Sequence, residues 1–177
     1  MTPNVLVVRT VLLGDSHLAR IKRELPRLGE SVLNAAVGGA TVLDLEHQSD
    51  GALLTANDVV VVSVGTNDGA PWNGVPVNDF HRTLTDFVVT RRVRTWVVMA
   101  PPGVDESRLG TWERANAVLD AYWGATAAVA ESASARLIDS RALLRPLGSR
   151  AFNRDGVHLS GEGYRLLLPM LAKAVSL

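Results

Sequence analysis

The sequence predicts an α/β protein in which helices cover both faces of a parallel β-sheet, giving a three-layer α/β/α sandwich. Short runs rich in Val, Leu and Ile alternate along the chain with segments whose apolar residues recur at helical spacing. The runs are apolar throughout rather than at every second position, which is typical of strands buried on both faces. Such strands are joined by right-handed crossovers through the intervening helices.

The first part of the chain is predicted to form strands at residues 4–13, 31–37 and 58–64 and helices at residues 16–25 and 41–48. The run before Gly14 is almost entirely Val and Leu, as a buried strand requires. The helix after it carries Leu18 and Ile21 at helical spacing and stops before Pro26. The third strand contains four consecutive valines, and this density of β-branched residues predicts that it is the centre of the sheet.

The second part of the chain is predicted to form strands at residues 95–99 and 136–139 and helices at residues 77–92, 108–135 and 160–175. The first of these helices has Phe80, Leu84 and Phe87 on one face. The fourth strand is stopped by a pair of prolines. The alanine-rich region at 108–135 is expected to be helical, with an interruption near Gly124.

Composition excludes several classes of function. Eighteen basic residues balance eighteen acidic ones, so no electrostatic footprint for nucleic acid is present. The chain has no cysteine, which excludes disulfides, thiolate catalysis and cysteine-bound zinc. No internal repeat, linker or low-complexity segment divides the 177 residues, and we expect a single domain over 1–177.

The sequence also predicts that the chain does not span a membrane. No apolar stretch approaches the ~20 residues that cross a bilayer. The apolar run at 4–13 is broken by Arg9 and lacks the charged start and small-residue cleavage site of a signal peptide. We therefore expect a cytoplasmic protein.

A candidate acid–base pair lies near the C-terminus, where Asp155 and His158 are three residues apart. One tight turn can hold both side chains together, and Gly156 between them permits that turn. A carboxylate that accepts the Nδ1 proton of the imidazole fixes its tautomer and leaves Nε2 free as a base. Ser160 is placed to cap the helix that begins at Gly161.

Ser16 is the candidate nucleophile. It follows the first strand at Gly14-Asp15-Ser16, and ligands of open parallel sheets bind beyond the carboxyl ends of the strands. A serine hydroxyl attacks only when a base removes its proton, and His158 supplies that base. Taken alone, a serine at such a position is more often a helix N-cap.

Three groups are candidates for an oxyanion hole: the N–H of Ser16, the N–H of Gly39 and the side-chain amide of Asn67. Both Gly39 and Asn67 follow predicted strands and therefore fall at the same edge of the sheet. Each also has a purely structural interpretation as a turn residue. Asp15 and Asp68 are expected to hold these loops together rather than to contact substrate.

Other chemistries fit the sequence poorly. The four histidines, His17, His47, His81 and His158, have spacings that match no common metal-ligand pattern. A flavodoxin-like module that binds a nucleotide or phosphate would leave Asp155 and His158 unexplained, and the chain lacks a phosphate-binding loop of the Walker type.

Four blocks together resemble the SGNH hydrolases, also called the GDSL esterase/lipase superfamily. They are Leu-Gly-Asp-Ser-His at 13–17, Asn-Ala-Ala-Val-Gly-Gly-Ala-Thr at 34–41, Gly-Thr-Asn-Asp at 65–68 and Asp-Gly-Val-His-Leu-Ser at 155–160. Their order and spacing resemble the family's over nearly the whole chain. His17, where the family often has an apolar residue, and Ala36, where it has glycine, are departures from the pattern.

The resemblance implies Ser16 as nucleophile, His158 as base and Asp155 as the residue that orients it. It implies an oxyanion hole of Ser16, Gly39 and Asn67, no metal or cofactor, and a flavodoxin-like five-stranded parallel sheet of order 2-1-3-4-5. The serine motif differs from the Gly-x-Ser-x-Gly elbow of the α/β-hydrolase fold.

The leading interpretation is a serine esterase or deacylase that hydrolyses an acyl ester of a small molecule, glycan or lipid, with an acetyl or other small acyl group expected. The alternatives are an acyltransferase with the same triad and a non-catalytic flavodoxin-like binding module. Trp72 and Trp123 are candidates for lining the substrate pocket, although ordinary packing explains them equally well.

Overall fold

The computed structural model describes residues 8–176, so the predicted strand residues 4–7 lie outside the described part. Five parallel strands form one sheet in the order β2-β1-β3-β4-β5. They are β1 (Arg9–Gly14), β2 (Ser31–Asn34), β3 (Val59–Ser63), β4 (Thr95–Met99) and β5 (Arg136–Ile138). The predicted fold class and strand order are confirmed.

The valine-rich strand β3 is the centre of the sheet, as predicted, and it pairs with both β1 and β4. All five of its residues are buried. Val60 and Val62 pack in the core on one face of the sheet, whereas Val59 and Val61 pack on the other. A strand with two buried faces has no solvent side on which polar residues would be favoured, which explains the continuous apolar run.

Helices cover both faces. They are α1 (Ser16–Ala19), α2 (Leu45–Ala52), α3 (Val77–Thr90), α4 (Asn116–Ser132), α5 (Ser140–Leu144) and α6 (Gly161–Val175). Helices α2, α3 and α4 contribute Leu45, Leu84 and Val129 to the core on one face. Leu144 and Leu167, from α5 and α6, pack on the other face. Among residues 8–176, no helix combines the length and apolarity needed to cross a membrane.

The predicted helix at 16–25 is wrong in length, because α1 ends at Ala19. The side-chain amide of Asn34, at the end of β2, donates to the carbonyl oxygens of Leu18 and Ile21, at 2.9 Å each. These carbonyls are therefore satisfied by a residue of a neighbouring strand instead of by further helical turns. Pro26 lies in a short 3₁₀ helix, Leu25–Leu28.

The predicted helix at 108–135 is also wrong in its extent, because α4 begins only at Asn116 and then runs through Gly124 without a break. The Asn116 side chain accepts from the N–H of Val104 and donates to its carbonyl oxygen, both at 2.9 Å, which holds the preceding chain in a loop. Gly124 lies on the exposed face, while its neighbours Tyr122 and Ala125 pack in the core. Packing thus outweighs the about 1 kcal/mol that glycine costs in a helix.

The short helix α5 and the 3₁₀ segment Arg145–Ala151 that follows it were not predicted. The Asp139 carboxylate caps α5 by accepting from the N–H of Ala142 at 3.0 Å. A five-residue helix offers too few turns for an apolar period to be recognised from the sequence.

Candidate active site

The turn after β1 presents Ser16 at the carboxyl edge of the sheet. Gly14 has φ = 119°, and a Cβ at this position would lie 1.9 Å from the backbone oxygen of Ser63 on the adjacent strand. Only glycine fits such a close approach. The N–H of Asp15 then donates to that Ser63 oxygen at 2.8 Å, and α1 begins at Ser16.

Ser16 is 8 % exposed and lies beside the loop that follows β2. A Cβ built on Gly38 would be 3.9 Å from the Cβ of Ser16. The N–H groups of Ser16 and Gly39 donate to no backbone carbonyl among residues 8–176. Asp15, not Ser16, is the N-cap of α1, because its side chain accepts from the N–H of His17. The N-cap interpretation of Ser16 is therefore wrong.

Asp155 and His158 form a hydrogen-bonded pair. The distance from Asp155 Oδ2 to His158 Nδ1 is 2.8 Å, while Asp155 Oδ1 accepts from the N–H groups of Val157 and His158 at 3.0 and 2.9 Å. Gly156 has φ = 70°, so glycine permits the turn as predicted. Burial alone raises the pKa of the Asp155 carboxyl, but the hydrogen bonds from His158 and Val157 outweigh it and lower the pKa to about 2.

His17 joins the Ser16 turn to the His158 loop. Its Nε2 lies 3.3 Å from the carbonyl oxygen of Val157, the residue before His158. Its own carbonyl oxygen accepts from the Tyr164 hydroxyl at 2.9 Å. Residues that are 140 positions apart in the chain are thereby held next to each other, and the structure brings the predicted nucleophile and base segments together.

The His17 ring lies between two acceptors. Its Nδ1 is 3.1 Å from Asp15 Oδ1, and its Nε2 faces the Val157 carbonyl. A neutral imidazole donates from only one nitrogen, so both contacts are hydrogen bonds only in the imidazolium form. Burial lowers the pKa of His17, but the Asp15 charge and hydrogen bond and the Val157 carbonyl outweigh burial and the Arg114 charge, and the pKa is raised.

The loop after β3 meets the loop after β2 through Asn67. The Nδ2 of Asn67 donates to the carbonyl oxygen of Ala40 at 2.9 Å, and Ala40 follows Gly39 directly. Gly39 is exposed with φ = 85°, and among residues 8–176 no atom other than those of its chain neighbours lies within 4 Å of where its Cβ would be. The three predicted oxyanion-hole residues thus come from three loops that contact one another.

Asp68 holds the same loops together, as predicted. Its two carboxylate oxygens accept from the N–H groups of Val42 and Gly65, at 2.8 Å each. Burial raises the pKa of Asp68 to about 6, in spite of these hydrogen bonds. Asp15 has an equivalent role beneath Ser16, where its Oδ1 also accepts from the Ser63 hydroxyl at 3.3 Å.

Two arginines that sequence reasoning missed contact the site loops. Arg114 donates to Asn67 Oδ1 at 2.8 Å and to the Thr66 carbonyl at 3.0 Å. Arg108 donates to the carbonyl oxygens of Phe152 and Asn153 at 3.0 and 2.8 Å, ahead of the Asp155 turn. Both lie in the segment predicted as helix, where an arginine is normally a solvated surface residue. No signal in the sequence distinguishes them.

The two tryptophans considered for a pocket have different surroundings. Trp72 stacks on the Arg114 guanidinium, whose central carbon is 4.7 Å from the ring centroid. Trp123 donates from Nε1 to Asp139 at 3.1 Å, at the end of β5. Within residues 8–176, no group of three or more His, Asp or Glu side chains is arranged to hold a metal ion.

The fold and the site together define an α/β/α-sandwich hydrolase. The model of the GDSL-like lipase/acylhydrolase family matches residues 12–166. The chain belongs to this family, and it is a serine hydrolase that acts on ester bonds. Among curated proteins, none matches the chain.

Solved structures share the fold at low sequence identity. A lipase/acylhydrolase from Enterococcus faecalis has a TM-score of 0.83 and 22 % identity, covering 94 % of both chains. An acetylxylan esterase from Geobacillus stearothermophilus has a TM-score of 0.74 and 19 % identity over 96 % of this chain and 94 % of the other. An α/β hydrolase from the metagenome of Lake Arreo, Spain, has a TM-score of 0.74 and 18 % identity over 96 % of each chain.

Proposed function

We propose that this esterase hydrolyses its substrate through a triad of Ser16, His158 and Asp155. The observation that carries the proposal is the 2.8 Å hydrogen bond between Asp155 and His158 Nδ1, on a loop tied by His17 to the Ser16 turn. The bond to Nδ1 selects the tautomer whose Nε2 accepts a proton. The Asp155 carboxyl, with its pKa lowered to about 2, stays ionised throughout the neutral range.

In the first half of the reaction the Ser16 hydroxyl oxygen attacks the ester carbonyl carbon, and its proton passes to His158 Nε2. The tetrahedral intermediate collapses, the bond to the alcohol oxygen breaks, and the imidazolium protonates the departing alcohol. In the second half His158 removes a proton from water, and the hydroxide attacks the acyl-enzyme. Collapse of that intermediate releases the acid and returns the proton to Ser16.

The negative charge on the carbonyl oxygen is stabilised in this proposal by Ser16 N–H, Gly39 N–H and the Asn67 amide. Support comes from the two N–H groups, which have no backbone acceptor among the described residues. Asn67 Nδ2 carries two hydrogens and uses one on Ala40, so the other remains for substrate. Donors of this kind stabilise the transition state most when they are preorganised.

For the substrate we propose an ester with an acetyl or other small acyl group, on a small-molecule, glycan or lipid alcohol. A structural neighbour is named as an acetylxylan esterase, which supports an acetyl ester as the first test substrate. Ser16 lies beside the exposed glycines at 38–39, where a Cβ on Gly38 would come 3.9 Å from the Ser16 Cβ, so the absence of side chains there supports approach of a small acyl group.

A fluorophosphonate probe and a panel of short acyl esters test the proposal. We expect the probe to label Ser16, and Ser16→Ala to lower hydrolysis by several orders of magnitude with little change in melting temperature. Ser132→Ala, at the exposed end of α4, is the matched control and should keep full activity. Near-normal turnover in Ser16→Ala would refute the triad. Added alcohol in the same assay reveals any acyl transfer as a new ester product.

A further inference from the structure

Arg114 lies in the loop before α4, and its side chain is only 10 % exposed. Its guanidinium makes three polar contacts: Nε to the Thr66 carbonyl, Nη2 to Asn67 Oδ1, and Nη1 to Glu113 at 3.1 Å. The Trp72 ring lies over it at 4.7 Å. A buried cation with so complete a set of partners is held in one geometry.

The contacts of Asn67 determine which way its amide points. A guanidinium has only donors, so the atom that faces Arg114 must be the amide oxygen. The Ala40 carbonyl is an acceptor, so the atom that faces it must be the amide nitrogen. Flipping the amide would set donor against donor and acceptor against acceptor. One N–H of Asn67 is therefore directed by Arg114 and Ala40 jointly.

We propose that Arg114 is a positioning residue for ester hydrolysis, which locks and polarises the Asn67 amide that donates to the oxyanion. The positive charge of the Arg114 guanidinium, hydrogen-bonded to the amide oxygen, draws electron density from the amide nitrogen and strengthens the remaining N–H as a donor. The inference rests on the proposed place of Asn67 in the oxyanion hole.

The backbone around Asn67 has other supports. The Asn73 side chain donates to the Asn67 carbonyl at 2.9 Å, and the N–H of Val75 donates to the Asp68 carbonyl at 3.1 Å. The Asp68 carboxylate accepts from Gly65. Loss of Arg114 should therefore release the Asn67 side chain before it releases the loop.

A double-mutant cycle tests this mechanism. Asn67→Ala should lower kcat by about 10²–10³-fold with KM little changed. Arg114→Met should lower kcat by about 10–100-fold, the range typical of losing a residue that orients a functional side chain. If Arg114 acts through the amide, the double variant should have the kcat of Asn67→Ala alone. Effects that multiply would overturn the proposal.

Two further variants keep the result interpretable. Arg114→Lys retains the charge but not the planar fork, and we expect an intermediate kcat in a protein that folds even if Arg114→Met does not. Arg82→Met, on the exposed face of α3, is the matched control and should keep wild-type kcat. Full kcat in both Arg114→Lys and Arg114→Met would refute the role of Arg114 and leave the oxyanion assignment of Asn67 unaffected. Full kcat in Asn67→Ala would refute the oxyanion assignment itself.

Discussion

At the scale of single residues, the candidate site is specified by hydrogen-bond donors and acceptors that each face only one suitable partner. His17 is the clearest case, because its buried ring lies between two groups that accept hydrogen bonds, the Asp15 carboxylate and the Val157 carbonyl. These two acceptors explain how a polar ring is accommodated in a fully buried position. The stability that His17 contributes is fully present below pH 6.5 and is lost as pH rises through its raised pKa.

The pKa of Asp155 is shifted in the opposite direction to that of His17. Its pKa is lowered to about 2 by hydrogen bonds to its charged form, so its contribution to stability is present above pH 3.8 and lost as pH falls through about 2. Because its side chain is 47 % exposed, solvent screens much of this effect. The main consequence of the lowered pKa is that the Asp155 carboxylate stays ionised beside His158.

Asp68 gives a testable dependence of stability on pH. Its raised pKa means that, between pH 3.8 and about 6, the folded state binds more protons than the unfolded state. Its stabilising contribution is therefore full below pH 3.8 and lost as pH rises through about 6, a change of about 3 kcal/mol. We expect the unfolding free energy of the wild type, relative to Asp68→Asn, to fall between pH 4 and pH 7 in denaturant titrations. A difference that is constant over this range would contradict the prediction.

At the scale of secondary-structure elements, the positions at which helices begin shape the candidate site more than the central residues of the helices do. The helix α1 is four residues long, and its role is to begin at Ser16 directly after the Gly14 turn. The helix α6 begins at Gly161, three residues after His158. Its N-cap, Ser160, accepts from the N–H groups of Glu162 and Gly163 at 3.2 Å each. The caps therefore fix where the chain leaves each site loop.

The Ser160 cap predicts a measurable loss of stability. Ser160→Ala leaves two N–H groups of α6 without their acceptor and should destabilise the protein by about 1 kcal/mol. For a chain of this size that lowers the melting temperature by about 2–4 °C. Ser176→Ala removes a hydroxyl at the other end of the same helix and should change the melt far less. Equal melting temperatures for the two variants would refute a capping role of Ser160.

At the scale of the whole molecule, two cores share one sheet. Leu84 of α3 packs on one face and Leu167 of α6 packs on the other, and both are fully buried. The strands between them, β1, β3 and β4, supply residues to both cores. Loss of either core therefore exposes strands on which the other depends.

This sharing predicts one cooperative unfolding transition, as expected for a single domain. Leu84→Ala and Leu167→Ala should each destabilise the protein by about 2–5 kcal/mol. Each should move the same single transition in calorimetry, since neither face is stable without the sheet. Two resolved transitions, with each variant moving only one of them, would show that the faces unfold independently.

The sequence by itself determined the sheet, its central strand and the segments that contribute to the candidate site. Apolar runs such as 59–62 predict buried strands because burial on two faces removes any position for polar residues. Gly156 and Ser160 were predictable because a tight turn or a cap restricts the residue at one position, a requirement visible locally.

Only the tertiary structure decided the rest. The early end of α1 depends on Asn34, and the orientation of the Asn67 amide depends on Arg114, 47 residues away. The pKa of His17 is raised first by the nearby Asp15 carboxylate and further by the Val157 carbonyl oxygen, 140 residues away. A sequence pattern reports periodicity and local restrictions, whereas these features follow from a donor meeting an acceptor across the fold. Such long-range hydrogen bonds produce no periodic pattern in the sequence, because each needs only one arginine or asparagine at the right position.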